Sequence, residues 1–134
     1  MIEPSDEEVR AVARRQAERW RGVLDRLAQY DQEGSVKIYI AGPMTGLPES
    51  NFPAFALAAE QLTAAGFTVL NPADHGTDTS KPWHHYIRLG LRMLLDADAV
   101  ATLPGWEVSR GATLEVHTAH ALAMPVMPIG EWLV

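Results

Sequence analysis

The heptapeptide SRGATLE at residues 109–115 connects an apolar run, AVATL at residues 99–103, to a helical pattern over residues 113–124. A short apolar run that leads through a turn into such a pattern predicts a buried strand followed by a helix. Glu115 is the only acid between residues 111 and 124, and it falls just inside the predicted helix. Carboxylates and bound anions are both stabilised at a helix N-terminus, by the helix dipole and by free backbone N–H groups. We therefore predict a functional site at this turn, centred on Glu115 and Ser109.

The segments around this turn alternate between strand and helix patterns. Strands are predicted at residues 36–41, 67–70, 98–103 and 125–129, and helices at residues 51–65, 82–95 and 113–124. Asn51 is the predicted N-cap of the first of these helices. Regular alternation of this kind predicts an α/β fold, a parallel sheet of four to five strands with helices on both faces. Pro125 and Pro128 place the last strand at an edge of the sheet.

The first 34 residues are predicted to form an amphipathic helix appended to the α/β domain of residues 35–134. Ser5 and Glu8 have capping-box spacing, and apolar residues then recur at helical intervals. The apolar stripe of this helix needs a partner, either its own domain or a second subunit.

Composition restricts the classes of function that are open to the chain. It has no Cys, which excludes disulfides and cysteine nucleophiles, and it has no apolar run long enough to span a membrane. The formal net charge is -6, with 11 Lys and Arg against 17 Asp and Glu. This balance disfavours binding of a nucleic-acid polymer, because such binding depends on neutralising phosphates. A cytoplasmic location and no interaction with a membrane are expected.

The predicted turns after the strands are expected to form one ligand cleft. In a parallel sheet, ligands bind beyond the carboxyl ends of the strands, where the strand order switches. The turns at residues 42–46, 71–78 and 104–111 all follow strands. The substrate-binding candidates in these turns are Gly42, Pro43, Met44, Gly46, Asn71, Trp106, Ser109, Arg110 and Gly111.

His117 and His120 have a spacing that suits a metal, but no full ligand set accompanies them, and neither metal nor cofactor is expected.

The motifs Tyr39-x-x-Gly42-x-x-x-Gly46 and Ser109-x-Gly111-x-x-x-Glu115, together with the strand that begins at Asp98, resemble the nucleoside 2-deoxyribosyltransferase superfamily. Within it, the sequence is most similar to small phage and prophage proteins of unassigned function. The resemblance covers about residues 36–130 and implies a flavodoxin- or Rossmann-like version of the α/β fold. It also implies a homo-oligomer, in which a neighbouring subunit often completes the site.

The resemblance implies cleavage of an N-glycosidic bond. Glu115 would be the nucleophile that forms a glycosyl–enzyme intermediate, Tyr39 would orient its carboxylate, and Asp98 would be a third catalytic residue. Water would then release the sugar, or a second base would accept it. Relatives that act on nucleosides tend to carry Asp six residues before the nucleophile, whereas those that act on nucleoside 5′-monophosphates carry Ser, as this chain does at Ser109. The expected small-molecule ligand is therefore a nucleotide.

One position departs from the family pattern. Many relatives carry an Asp, thought to protonate the leaving base, about eight residues before the acid of the third strand, and Gly90 stands there in this chain. The residues left as substitutes are Asp74, Asp78, Asp96, His84 and His85. Two alternatives therefore stay open: a nucleotide-binding or sensing module without catalysis, and an interaction protein that docks through its N-terminal helix.

Overall fold

The computed structural model describes residues 35–78 and 80–134. The predicted N-terminal helix lies outside these residues. The strands are β1 (Lys37–Ala41), β2 (Thr68–Leu70), β3 (Ala99–Thr102) and β4 (Val126–Pro128). The α-helices are α1 (Phe52–Ala64), α2 (Trp83–Leu95), α3 (Arg110–Ala121) and a single turn, α4 (Ile129–Trp132). Three short 3₁₀ segments, at Pro48–Asn51, Pro72–His75 and Trp106–Val108, follow the first three strands.

The strands form one parallel sheet in the order β2-β1-β3-β4, which confirms the predicted fold class. The chain adds β2 on one side of β1 and then returns to add β3 on the other side. The switch point in strand order therefore lies between β1 and β3. β4 is an edge strand, as its prolines predict, because proline cannot donate a hydrogen bond to a further strand.

Each face of the sheet is covered by helices that bury a separate apolar cluster. Ile38 and Ile40 of β1 face the cluster that contains Phe55 and Leu62 of α1, and Trp132 of α4 joins it. Tyr39 points to the opposite face, among residues of α2 and α3. The alternation follows from the two-residue period of a strand. It places Tyr39 on the face that α3 covers.

The bounds of α3 differ from the predicted ones at both ends. The helix begins at Arg110, three residues before the predicted start, because the side chain of Ser109 accepts a hydrogen bond from the backbone N–H of Ala112 and caps it. It ends at Ala121, before the predicted residue 124. Ala123 adopts a left-handed conformation with φ 58°, and the N–H of Met124 bonds back to the carbonyl of Ala119.

Two smaller predictions are refined. Asn51 is the N-cap residue of α1, as predicted, but its side chain makes no capping hydrogen bond and instead donates to the carbonyl of Pro43, at 2.9 Å. The last strand is shorter than predicted, because the chain turns into α4 at Ile129. That turn brings the indole N–H of Trp132 to the carbonyls of Val100 and Met127, both at 3.1 Å.

Candidate functional site

The structure brings Tyr39 and Glu115 together beneath the switch point. Tyr39 lies in the middle of β1 and is fully buried, and Glu115 lies in the second turn of α3 with 6% of its surface exposed. The tyrosine hydroxyl donates a hydrogen bond to Oε2 of the carboxylate. A buried carboxylate requires such a donor, because transfer out of water costs several kcal/mol when it is not compensated.

Burial controls the protonation of this pair. Removal from solvent raises the pKa of Glu115 to about 7, and the hydrogen bond from Tyr39 offsets part of this effect. The pKa of Tyr39 is raised well above its usual value, first by burial and then by the neighbouring carboxylate. Tyr39 therefore remains protonated and keeps donating. Glu115 ionises near neutral pH, which is where a general acid, a general base or a carboxylate nucleophile is useful.

Gly90 of α2 lies directly against the Tyr39–Glu115 pair. A Cβ at this position of α2 would lie 2.6 Å from Oε2 of Glu115 and 2.8 Å from the hydroxyl of Tyr39. Carbon atoms do not approach oxygen that closely, so the absence of a side chain lets the backbone of α2 pack directly on the pair. An acidic side chain cannot occupy this position without displacing Glu115 or Tyr39. Gly90 is thus a packing residue of the site.

The residues of the predicted anion site lie at the start of α3. Ser109 is the N-cap, and Arg110 begins the helix with its guanidinium 3.8 Å from the ring centroid of Trp83. A Cβ on Gly111 would lie at ordinary contact distance from Ile87 and Trp83, which shows how closely the first turns of α3 and α2 approach each other. The stacked indole holds Arg110 beside the helix N-terminus, where a cation and free N–H groups together suit a phosphate.

The loops after β1 and β3, two of the three that were predicted to form one cleft, lie close to each other. Gly42 lacks the Cβ that would lie 2.8 Å from the Cβ of Leu103, and this allows the ends of the two strands to approach. Further along, a Cβ on Gly105 would lie 3.4 Å from the ring of Pro43.

The remaining candidates in the loop after β1, Met44 and Gly46, contribute to packing and to a turn. Met44 packs against the apolar cluster of α1, and Gly46 adopts a left-handed φ of 81° in the turn that follows. The structure shows no hydrogen bond from either residue to the Tyr39–Glu115 pair.

Two other predicted site residues, Asp98 and Asn71, are hydrogen-bonded away from the pair, and a third, Trp106, lies beside the cluster that contains Tyr39. Asp98 precedes β3 at the amino end of the sheet, where its carboxylate accepts a hydrogen bond from the backbone N–H of Lys37, at 2.9 Å. Asn71 is buried after β2 and caps the 3₁₀ segment through the N–H of Ala73. Trp106 is half-buried and packs against the cluster that contains Tyr39. These hydrogen bonds give Asp98 and Asn71 a local structural role.

Sequence reasoning did not foresee two features of the site. It considered Gly90 only as a position that lacks an acid, although a glycine inside a helix indicates close approach of another group. It also missed the stacking of Arg110 on Trp83, which depends on how α2 and α3 pack. Within residues 35–78 and 80–134, no group of three or more His, Asp or Glu side chains is arranged to hold a metal. No helix in this part of the chain is long and apolar enough to cross a membrane.

The fold and this site define an α/β protein with a buried carboxylate next to the switch point of a parallel sheet. The chain belongs to the family described as Domain of unknown function (DUF4406), which matches residues 36–128. The matched region contains Tyr39, Gly90 and Glu115. A search of curated proteins finds no match to the chain.

Proposed function

We propose that the protein cleaves the N-glycosidic bond of a nucleoside 5′-monophosphate, with Glu115 as the nucleophile. The observation that carries this proposal is the buried carboxylate of Glu115, held by the hydroxyl of Tyr39 under the switch point of the sheet. The resemblance to nucleoside 2-deoxyribosyltransferases supports the same roles for the two residues.

The hydrogen bond from Tyr39 indicates which oxygen reacts. Because Oε2 accepts the tyrosine hydroxyl, Oε1 is the atom that attacks the anomeric carbon of the sugar. The bond from that carbon to the base breaks, and its electron pair leaves with the base, which takes a proton from solvent. Water then attacks the same anomeric carbon and loses a proton to solvent, while the bond from that carbon to the Glu115 oxygen breaks, which releases the sugar phosphate and regenerates the carboxylate. A second base in place of water gives transfer. Two displacements at one carbon retain its configuration.

The N-terminus of α3 supports a phosphate-bearing substrate. Ser109, Arg110 and the free N–H groups of the first turn lie six residues before the nucleophile, a rise of about 9 Å along a helix. This separation leaves room for a sugar between the phosphate and the carboxylate. The substrate is therefore a nucleotide held by its phosphate, with its anomeric carbon over Glu115.

The test is release of base from a panel of ribo- and deoxyribonucleoside 5′-monophosphates, measured for the wild type and for Glu115→Gln. Loss of a nucleophile is expected to lower kcat by about a thousandfold or more. Tyr39→Phe removes one hydrogen bond and is expected to lower kcat by about tenfold. The matched control is Glu60→Gln, an exposed acid on α1 across the sheet, which is expected to leave the rate unchanged.

Two results would reject this mechanism. Base release that persists in Glu115→Gln would remove Glu115 from the reaction. Saturable binding of a nucleotide without release of base from any member of the panel would identify a binding or sensing module instead.

The resemblance also favours a homo-oligomer, and measurement of the mass in solution tests that expectation separately.

A further inference from the structure

A basic groove runs along the outer face of α2, away from the candidate active site. Its volume is about 350 Å³, and every titratable side chain that lines it is basic or histidine. These residues are Lys81, His84, His85, Arg88 and Arg92. Gly90 faces Glu115, and residues two positions away on a helix point to nearly the opposite side. Arg88 and Arg92 therefore face away from the Tyr39–Glu115 pair.

The groove concentrates positive charge in a chain whose formal net charge is -6. The described residues include five Lys and Arg, and three of them line this groove. His84, Arg88 and Arg92 lie at successive four-residue steps, so they form one row on the helix surface. The positive charges of Arg88 and Arg92 repel each other, and a bound anion relieves that repulsion.

We propose that this groove binds a small ligand that carries two or more linked phosphates, such as inorganic tripolyphosphate or a nucleoside triphosphate. Guanidinium groups match phosphate oxygens in pairs, and Arg88 and Arg92 both line the groove from positions one helical turn apart. The groove also begins at the N-terminus of α2, whose N-cap, Pro82, provides no side-chain cap for the first N–H groups.

The size of the groove and the charge of the whole chain favour a small ligand over a nucleic-acid strand. The volume lies within the range of small-molecule sites, which is roughly 300–1,000 Å³. The rest of the chain is strongly acidic and repels phosphates. A nucleic-acid strand that extended beyond the groove would therefore be disfavoured.

The test is calorimetric titration of the full chain with inorganic tripolyphosphate. Saturable binding to one site is expected, and Arg88→Gln and Arg92→Gln should each weaken it by at least about fivefold, because each removes a charge-assisted contact. Lys37→Gln is the matched control. It removes one positive charge from an exposed position on β1, outside the groove, and should change the affinity by less than about twofold.

Several results would overturn the inference. Absence of binding to the wild type, or equal weakening by Lys37→Gln, would leave no specific site in the groove. Binding lost in Arg110→Gln but retained in Arg88→Gln would place the tripolyphosphate at the Ser109 turn; the groove would then be empty while the proposed function stands. Tighter binding of a single-stranded oligonucleotide, lost in Arg88→Gln, would replace the small ligand with a nucleic acid.

Discussion

At the scale of single residues, the site depends on a carboxylate that is kept out of water. Glu115 is surrounded by Tyr39 and by the backbone at Gly90, and it keeps one strong hydrogen bond. Burial raises its pKa to about 7, so the carboxyl ionises near neutral pH. Burial of an ionisable carboxyl lowers stability at neutral pH, and groups perturbed in this way are common at functional sites.

The raised pKa predicts how stability changes with pH. The carboxyl has a pKa near 4.5 in the unfolded chain and about 7 in the folded one, so the folded state binds the proton more tightly. The contribution of Glu115 is therefore complete below about pH 4.5 and is lost as the pH rises through 7, by about 3 kcal/mol in total. Glu115→Gln lacks this titration. Its free energy of unfolding, measured in urea from pH 5 to 8, should rise relative to that of the wild type.

Parallel pH curves for the two proteins would contradict this prediction. The same titration governs the proposed reaction, in which the ionised form attacks. The kcat/KM of the wild type is then expected to increase towards pH 7 and to level off above it.

At the scale of elements, one side chain at the N-terminus of α3 has an observed role and a proposed one. The hydroxyl of Ser109 caps the helix through the N–H of Ala112, and we propose that it also binds the phosphate of the substrate. The predicted start of this helix was three residues late because residues 110–112 carry no apolar periodicity. The cap itself, and not the hydrophobic pattern, determines where the helix begins.

Substitution of Ser109 separates these roles. Asp caps helices as well as Ser does, so Ser109→Asp should keep the free energy of unfolding within about 0.5 kcal/mol of the wild type. Its negative charge repels a phosphate, and KM for nucleoside 5′-monophosphates is expected to rise at least about tenfold. Ser109→Ala should instead lose about 1 kcal/mol of stability. Steady-state kinetics and urea denaturation measure the two effects, and an unchanged KM in Ser109→Asp would remove Ser109 from phosphate binding.

At the scale of the whole molecule, two helical layers enclose the sheet, and one of them closes over the site. α1 and α4 bury the cluster that contains Ile38 and Ile40, whereas α2 and α3 bury the one that contains Tyr39. The second layer can approach the sheet closely only because α2 presents Gly90 to the Tyr39–Glu115 pair. The position of the layer and the environment of the carboxylate are therefore coupled.

Gly90→Ala tests this coupling. The added methyl group overlaps both oxygens, so α2 or the pair must move, at a cost of about 1–3 kcal/mol in stability. The displacement admits water and should lower the pH at which Glu115 ionises. Gly130→Ala in α4 is the matched control, since its Cβ meets no atom within 4 Å and the change should not destabilise the protein. Equal stability of the two variants in urea would show that α2 does not depend on a glycine at this position.

The order of strands and helices along the chain, the parallel sheet and its proline-bearing edge strand all follow from patterns in the amino-acid sequence. A lone acid in an apolar helix pattern and a family resemblance also indicate Tyr39, Ser109 and Glu115 as candidate site residues. These signals are local, because periodicity, caps and turn residues are written within a few positions of each other. The roles of these residues in catalysis and binding stay predictions.

Which of the candidate residues contact each other depends on the packing of the folded chain. Tyr39 and Glu115 are 76 positions apart and are joined by the crossover from β1 to β3 and by the packing of α3 on the sheet. The same packing places Asp98 at the amino end of the sheet and brings Gly90 against the carboxylate. Such contacts, and the pKa they produce, depend on how whole layers fit together. No local pattern contains that information, because the distance between two elements is set by every side chain between them.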